Sequence, residues 1–300
     1  MGVIIKRKGR CAAVLVFLSV CASAQQAEDY LGSAYSTKTS DIVYATDGDH
    51  ALLLDLYIPK GVASPPLLVW IHGGAWQRGS KNVVDTIALV KEGYAIASVE
   101  FHKSLEAPFP AQIHDIKAAI RFLRGNAAEY GYDATRIAIH GRSSGGHLTS
   151  LVGVTNGQEE LEGTLGGHLD QSSDVQVVVS YFGASNLNSI LGQSTPHGVG
   201  MRAPALELLL DGPLEERGAL AQLASPVSHV DANDPPLLLL HGDQDPQMPI
   251  NQSHELHGVY KRFGLPVRFE VVHGAGHGGE RFFDEQRTAI VAAFLNEHLR

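Results

Sequence analysis

Gly141-Arg142-Ser143-Ser144-Gly145-Gly146 sets a serine between glycines two positions before and two after it, directly behind the apolar run Ile137-Ala138-Ile139. Strand, sharp turn and helix in that order make a nucleophile elbow, whose turn forces the serine into a backbone conformation that only small neighbours tolerate. Ser143 is the expected nucleophile. Ser144 fits less well, because Arg142 stands two positions before it. A serine hydroxyl attacks at neutral pH only when a base takes its proton and an acid orients that base. Two later loops offer such groups: His241-Gly242-Asp243-Gln244-Asp245-Pro246 and His273-Gly274-Ala275-Gly276-His277-Gly278-Gly279. Asp245 is preferred as the acid because it lies further out in its loop and Pro246 fixes the turn after it. Asp243 sits near a strand end, where it can satisfy backbone donors instead. His277 is preferred as the base, since flanking glycines let it swing over the elbow, whereas His273 directly follows a strand.

Acyl transfer also needs donors aimed at the developing oxyanion, each worth about 10² to 10³ in rate. His72-Gly73-Gly74-Ala75-Trp76 follows another apolar run, and a glycine-rich loop there can turn the amides of Gly74 and Ala75 toward the serine. The amide of Ser144, at the start of the following helix, would complete the set. Trp76 either lines the substrate pocket or packs beside this loop.

These groups need a scaffold that brings strand ends together. Short Val, Ile and Leu runs alternate with longer amphipathic segments, as in a mostly parallel sheet covered by helices on both faces. Eight strands are expected: Ile42 to Thr46, Leu52 to Ile58, Leu67 to Ile71, Ala95 to Phe101, Arg136 to His140, Val175 to Tyr181, Leu237 to Leu240 and Val267 to Val272. Asp47-Gly48-Asp49 signals a hairpin, so the sheet should start antiparallel. Helices are expected over Asn82 to Glu92, Ile113 to Tyr130, Gly145 to Thr155, Asn251 to Phe263 and Arg281 to His298, with Pro110 and Gly131 bounding the second. Residues Ala184 to Pro235 break the alternation. A connection that long usually forms a lid or subdomain, here a short cap insertion expected to shape substrate choice.

The 300 residues suit one large α/β domain. Lys6, Arg7, Lys8 and Arg10 precede an apolar run from Cys11 to Val20 and then Ala22-Ser23-Ala24. This is the form of a secretory signal cleaved near Ala24, leaving a domain over 25–300. The run is shorter than the roughly 20 residues a permanent anchor needs. Both cysteines, Cys11 and Cys21, fall inside the signal, so disulfides and thiol catalysis are excluded from the mature chain. Removing the signal's four cations from a net charge of −9 leaves −13, which disfavours nucleic acid as a partner. An exported protein, periplasmic or secreted, is expected.

Other residues carry less. His254-Glu255-Leu256-His257 lacks the spacing and further ligands of a zinc site. Asp115, Asp133 and Arg136 are expected to tie helix ends and the turn before the elbow. No dinucleotide fingerprint or phosphate loop occurs, so neither cofactor nor metal is expected.

From about Ile42 onward the chain resembles the carboxylesterases of the α/β-hydrolase superfamily, in particular the group named for bifunctional feruloyl and acetylxylan esterases, near the hormone-sensitive-lipase-like esterases. The carriers are His72-Gly73-Gly74-Ala75-Trp76 with Gly79-Ser80-Lys81, Phe109-Pro110-Ala111-Gln112, Gly141 to Leu148, and the Asp245 and His277 loops. The resemblance implies an α/β-hydrolase fold, a triad of Ser143, Asp245 and His277, oxyanion donors at Gly74, Ala75 and Ser144, and a small-molecule or polysaccharide ester as substrate. The family often has glycine at position 75 and alanine at 144; both replacements keep the amide. A prolyl-oligopeptidase-type peptidase, a formamide-cleaving hydrolase and a catalytically silent binding scaffold are the rival readings.

Overall fold

A computed structural model describes residues 35–299. The expected signal, with Cys11, Cys21 and Ala24, lies outside the described residues. β1 (Tyr35–Asp47), β2 (His50–Pro59), β3 (Pro66–Ile71), β4 (Ala95–Val99), β5 (Asp133–Arg142), β6 (Val177–Tyr181), β7 (Leu237–Gly242) and β8 (Val267–Val272) form one eight-stranded sheet in the order β1-β2-β4-β3-β5-β6-β7-β8. β1, β2 and β4 pair antiparallel, and every pairing from β4 through β8 is parallel. The hairpin is tight, with Asp47 opposite His50.

The longer helices are α1 (Ala111–Gly125), α2 (Ser144–Gly153), α3 (Pro196–Leu209), α4 (Asn251–Phe263) and α5 (Glu285–Leu299). Strand alternation feeds two cores. Leu67, Val69 and Ile71 join Ile113, Leu148 and Leu206 on one face, while Leu68 and Trp70 join Val291, Phe294 and Leu295 on the other. Runs that are apolar at every position are what a sheet covered on both faces requires.

Three expected helices differ. Asn82 to Glu92 is mostly turns, with one 3-10 turn at Ile87–Val90. Its β-branched Val83 and Val84 disfavour helix, and tertiary contacts take over: Trp70 Nε1 donates to Val83 O at 2.8 Å and Asp85 meets Arg142. The second helix is interrupted at Asn126, whose side chain donates to Phe122 O at 2.8 Å; a separate turn, Ala127–Tyr130, then ends on left-handed Gly131. The last helix begins at Glu285 rather than Arg281, because Asp284 accepts the amide of Arg287 at 2.8 Å and caps it.

Residues 184–235 form the turns Ile190–Gln193 and Gly218–Leu223 around α3. Thr195 caps α3 by accepting the Gly198 amide at 3.1 Å. Leu206 and Leu209 are buried in the main core, and Phe109 N donates to Leu209 O at 2.8 Å. The segment is therefore packed into the domain. Met201 and Arg202 of α3 come to the cleft that Ser143 and His277 also line.

Candidate active site

β3 is followed in sequence by β4 on one side and flanked by β5 on the other. The chain reverses direction across the sheet at that point, and the loops leaving β3 and β5 diverge to open a crevice. Ile71 pairs with Gly141, so the His72 loop and the Ser143 turn emerge side by side.

Ser143 has φ 55° and ψ −120°, and α2 begins at the next residue. The flanking glycines are required by contact. A Cβ on Gly141 would lie 2.6 Å from Thr149 Oγ1 and 2.7 Å from Ile71 O, and one on Gly145 would overlap the carbonyls of Ile71 and His72. Close packing of α2 against β3 and β5 thus imposes the elbow. Ser144 is fully buried, and its hydroxyl has no partner among the described residues.

Ser143 Oγ lies 2.8 Å from His277 Nε2, and His277 Nδ1 lies 2.6 Å from Asp245 Oδ2. A carboxylate can only accept, so Nδ1 carries the proton and Nε2 is free to take the serine's. The amides of Gln247 and Met248 both donate to Asp245 Oδ1 at 2.8 Å, which fixes the carboxylate. Burial pushes the Asp245 carboxyl up, but the approach of His241 and the hydrogen bond from His277 outweigh it and hold the group well below the ordinary carboxylate range. Burial also lowers the His277 pKa, aided by Arg202 and His241 and opposed by Asp245. Phe182 packs edge-on to the imidazole with ring centres 4.9 Å apart. The other pair is separate: Asp243 bonds His273 Nδ1 at 2.8 Å and the Gly274 amide at 2.7 Å, on the exposed face of the two loops.

Gly74, Ala75 and Trp76 all have positive φ, at 137°, 55° and 60°. Gly74 O accepts the amides of Gln77 and Arg78, each at 3.1 Å, closing a turn that leaves the amides of Gly74 and Ala75 without partners among the described residues. The same holds for Ser144, first residue of α2, where helix geometry leaves donors unpaired. Gly74, Ala75 and Ser143 line one cleft of about 340 Å³.

Trp76 is not part of that cleft. It is fully buried, and its Nε1 donates to His147 Nδ1 at 3.1 Å, while His147 Nε2 donates to Ala224 O at 2.7 Å. Burial lowers the His147 pKa to about 4, so this neutral imidazole joins the His72 loop, α2 and the 184–235 segment. Behind the loop, His72 stacks on Phe101 and lies 3.4 Å from Glu100, which also pairs with Lys103 and accepts the Lys81 amide at 3.0 Å.

Asp133 and Arg136 pair at 2.7 Å ahead of the elbow. Asp115 ties no helix end: from the second turn of α1 it accepts His102 N at 2.7 Å and His102 Nδ1 at 2.9 Å, holding the loop after β4. His254 and His257 pack on Phe269. Sequence reasoning did not single out His241, Phe182, Met201, Arg202 or Gln247 at the site. For Arg202 a faint signal existed, a cation within the largely apolar run Val199 to Leu206 of the inserted segment.

A family model described as BD-FAE matches residues 54–260. The chain is similar to esterase LipC of Mycobacterium tuberculosis, 29% identical over 83% of this chain and 63% of the relative. Esterase LipQ of the same organism is 30% identical over 77% of this chain and 54% of the relative. The chain thus spans somewhat over half the length of these curated relatives. Among solved structures, a truncated carbohydrate esterase from gut microbiota matches with a TM-score of 0.80 at 35% identity, covering 88% of this chain and 97% of that one. An acetyl ester-xyloside bifunctional hydrolase from Caldicellulosiruptor lactoaceticus shares the fold, with a TM-score of 0.70 at 20% identity over 84% of this chain and 90% of that one.

Proposed function

Since the chain belongs to the BD-FAE family, we propose that it hydrolyses carboxylic esters through an acyl-enzyme on Ser143. The observation that carries this is the run of contacts Ser143 Oγ, His277, Asp245, at 2.8 Å and 2.6 Å, on a strained elbow. In this reading Ser143 Oγ attacks the ester carbonyl as its proton passes to His277 Nε2. Asp245 holds Nδ1–H and balances the imidazolium charge, and the amides of Gly74, Ala75 and Ser144 receive the oxyanion. His277 then protonates the departing alcohol. Water repeats the sequence on the acyl-enzyme and releases the acid.

A cleft of about 340 Å³ lies at the small end of ligand pockets, which supports short acyl chains or a single aryl group. Acetyl or feruloyl decorations of plant polysaccharide are the substrates we assign, in keeping with the carbohydrate esterase among its structural neighbours. Residues 184–235 supply Met201 and Arg202 to the cleft wall and in this reading set substrate choice. The form of residues 1–24, a basic start, a short apolar run and Ala22-Ser23-Ala24, supports an exported enzyme. The similar proteins named above are esterases or ester hydrolases, which leaves a peptidase, a formamide hydrolase or a silent scaffold without support.

The test is hydrolysis of p-nitrophenyl esters from acetate upward, with acetylated xylan and methyl ferulate, by the protein and its Ser143→Ala variant. The variant should lose about 10⁵ to 10⁶ in kcat and lose fluorophosphonate labelling while keeping its melting temperature. Ester hydrolysis retained by a folded Ser143→Ala protein would sink the assignment.

A further inference from the structure

Arg202 is 2% exposed and lines the cleft that holds Ser143 and His277. Its Nε donates to Gln247 O at 3.1 Å, and its two terminal nitrogens have no hydrogen-bond partner among the described residues. A guanidinium stays charged in proteins, and a buried charge is ordinarily paired. Asp245, the carboxylate in whose field it lies, already spends both oxygens on His277, His241 and the amides of Gln247 and Met248. Arg202 therefore presents two nitrogens with unmet N–H donors to the cleft. Arg142 and Arg78 also line it, Arg142 beside Asp85 at 2.6 Å and Arg78 exposed at the rim. No carboxylate is among the lining residues. Arg142 being matched by Asp85, the positive charge at this opening rests on Arg202 and Arg78, in a chain of net charge −9, which places positive field where substrate enters.

Taking the reaction from the ester-hydrolase reading above, we propose that this cleft accepts esters whose non-reacting part carries a carboxylate, received by the Arg202 fork. Parallel N–H donors on a planar guanidinium match the two oxygens of a carboxylate, which neither an amide nor a hydroxyl reproduces. The carboxylate can belong to the acyl side, as in a dicarboxylic acid half-ester, or to the alcohol side, as in an esterified uronate or aromatic acid. Arg202 is then a specificity residue. The anchor from Nε to Gln247 O sits two residues from Asp245, so the fork is held in register with the triad.

The experiment measures binding to the Ser143→Ala protein, where no turnover interferes. Monoethyl glutarate places the carboxylate on the acyl side and 4-acetoxybenzoate on the alcohol side, each compared with its carboxamide analogue by NMR titration. One acid should bind roughly ten- to hundredfold more tightly than its amide, the factor for a charge-assisted hydrogen bond in a buried site. That preference should collapse in a folded Arg202→Gln protein and return in part with Arg202→Lys. Equal affinity for acid and amide in both pairs overturns the proposal without recourse to any Arg202 variant, as does a preference that survives Arg202→Gln. Turnover of p-nitrophenyl acetate by the unmodified protein is read separately. Carboxylate preference with no ester turnover removes the reaction and leaves the site; turnover with no preference does the reverse.

Discussion

His241 Nε2 lies 3.4 Å from Asp245 Oδ2, the same oxygen that accepts His277 Nδ1–H at 2.6 Å. His241 is fully buried and is fixed on both sides, by Ser253 Oγ at 2.7 Å and Met248 O at 3.0 Å. A carbonyl only accepts, so Nε2 carries the proton and points it at Met248 O and the Asp245 edge. The carboxylate that holds His277 is itself held by a second imidazole. Replacing His241 with Gln should lower kcat by about tenfold, the cost of losing an outer hydrogen-bonding partner of about 1.4 kcal/mol, with little change in KM. A merely structural role would lower the melting temperature and leave kcat intact.

The pH profile follows from which proton must be absent. In the proposed reaction attack needs His277 Nε2 unprotonated, so kcat/KM should rise with pH through the His277 pKa and then level. Burial, Arg202 and His241 hold that pKa below 6.5, against the pull of Asp245. The acid limb should therefore have its midpoint below 6.5. Removing a neighbouring cation favours the imidazolium, so Arg202→Gln should move the limb upward. A midpoint above 6.5 in the unmodified protein, or a downward shift in the variant, would contradict this electrostatic account.

Gly145→Ala tests whether packing against β3 imposes the elbow. The added Cβ would overlap the carbonyls of Ile71 and His72, which are backbone and cannot rotate away. The variant should lose about 3 kcal/mol of stability, the upper end of ordinary overpacking, measured by urea unfolding. Gly157→Ala is the control for a surface glycine, because nothing lies within 4 Å of its Cβ position; its positive φ makes a smaller loss expected. Equal losses at the two positions would refute the packing explanation.

Glu100 links the Lys81 amide, Lys103 and His72 behind the His72–Trp76 loop. Burial raises its pKa, but the approach of His72, the Lys103 ammonium and the hydrogen bond from the Lys81 amide outweigh it and hold it at about 2, against an ordinary 4.5. A depressed folded-state pKa adds stability that is complete above 4.5 and is lost as pH falls toward 2. Glu100→Gln should cost about 2 kcal/mol near pH 7, and the difference from the unmodified protein should shrink with acidification across that window. Unfolding midpoints at several pH values between 7 and 3 check it; a pH-independent difference would mean that the carboxylate's charge is not the stabilising element.

Much of this protein is legible in its residues taken in order. Apolar runs bounded by turns mark all eight strands, most sharply β3, β4, β6 and β7, which are buried on both faces; β8 and α4 keep the expected limits to the residue, whereas β1 extends from Tyr35, well before the expected Ile42. The glycine spacing around Ser143 likewise announces a strained turn. Where local preference is weak, tertiary contacts decide: Asn82 to Glu92 gives up its helix to bonds from Trp70 and Arg142. The same holds between like residues in one loop. Asp243 and Asp245 stand two apart, as part of one turn, yet only Asp245 meets the imidazole facing Ser143. That pairing joins loops 32 residues apart and depends on how β7 and β8 stack beside β5 and β6, a distance relationship that no local spacing contains. Arg202 is the further case. Its chemistry is plain from its residue type, but only the folding of α3 against the strand ends turns an arginine in an inserted segment into a buried fork beside the serine.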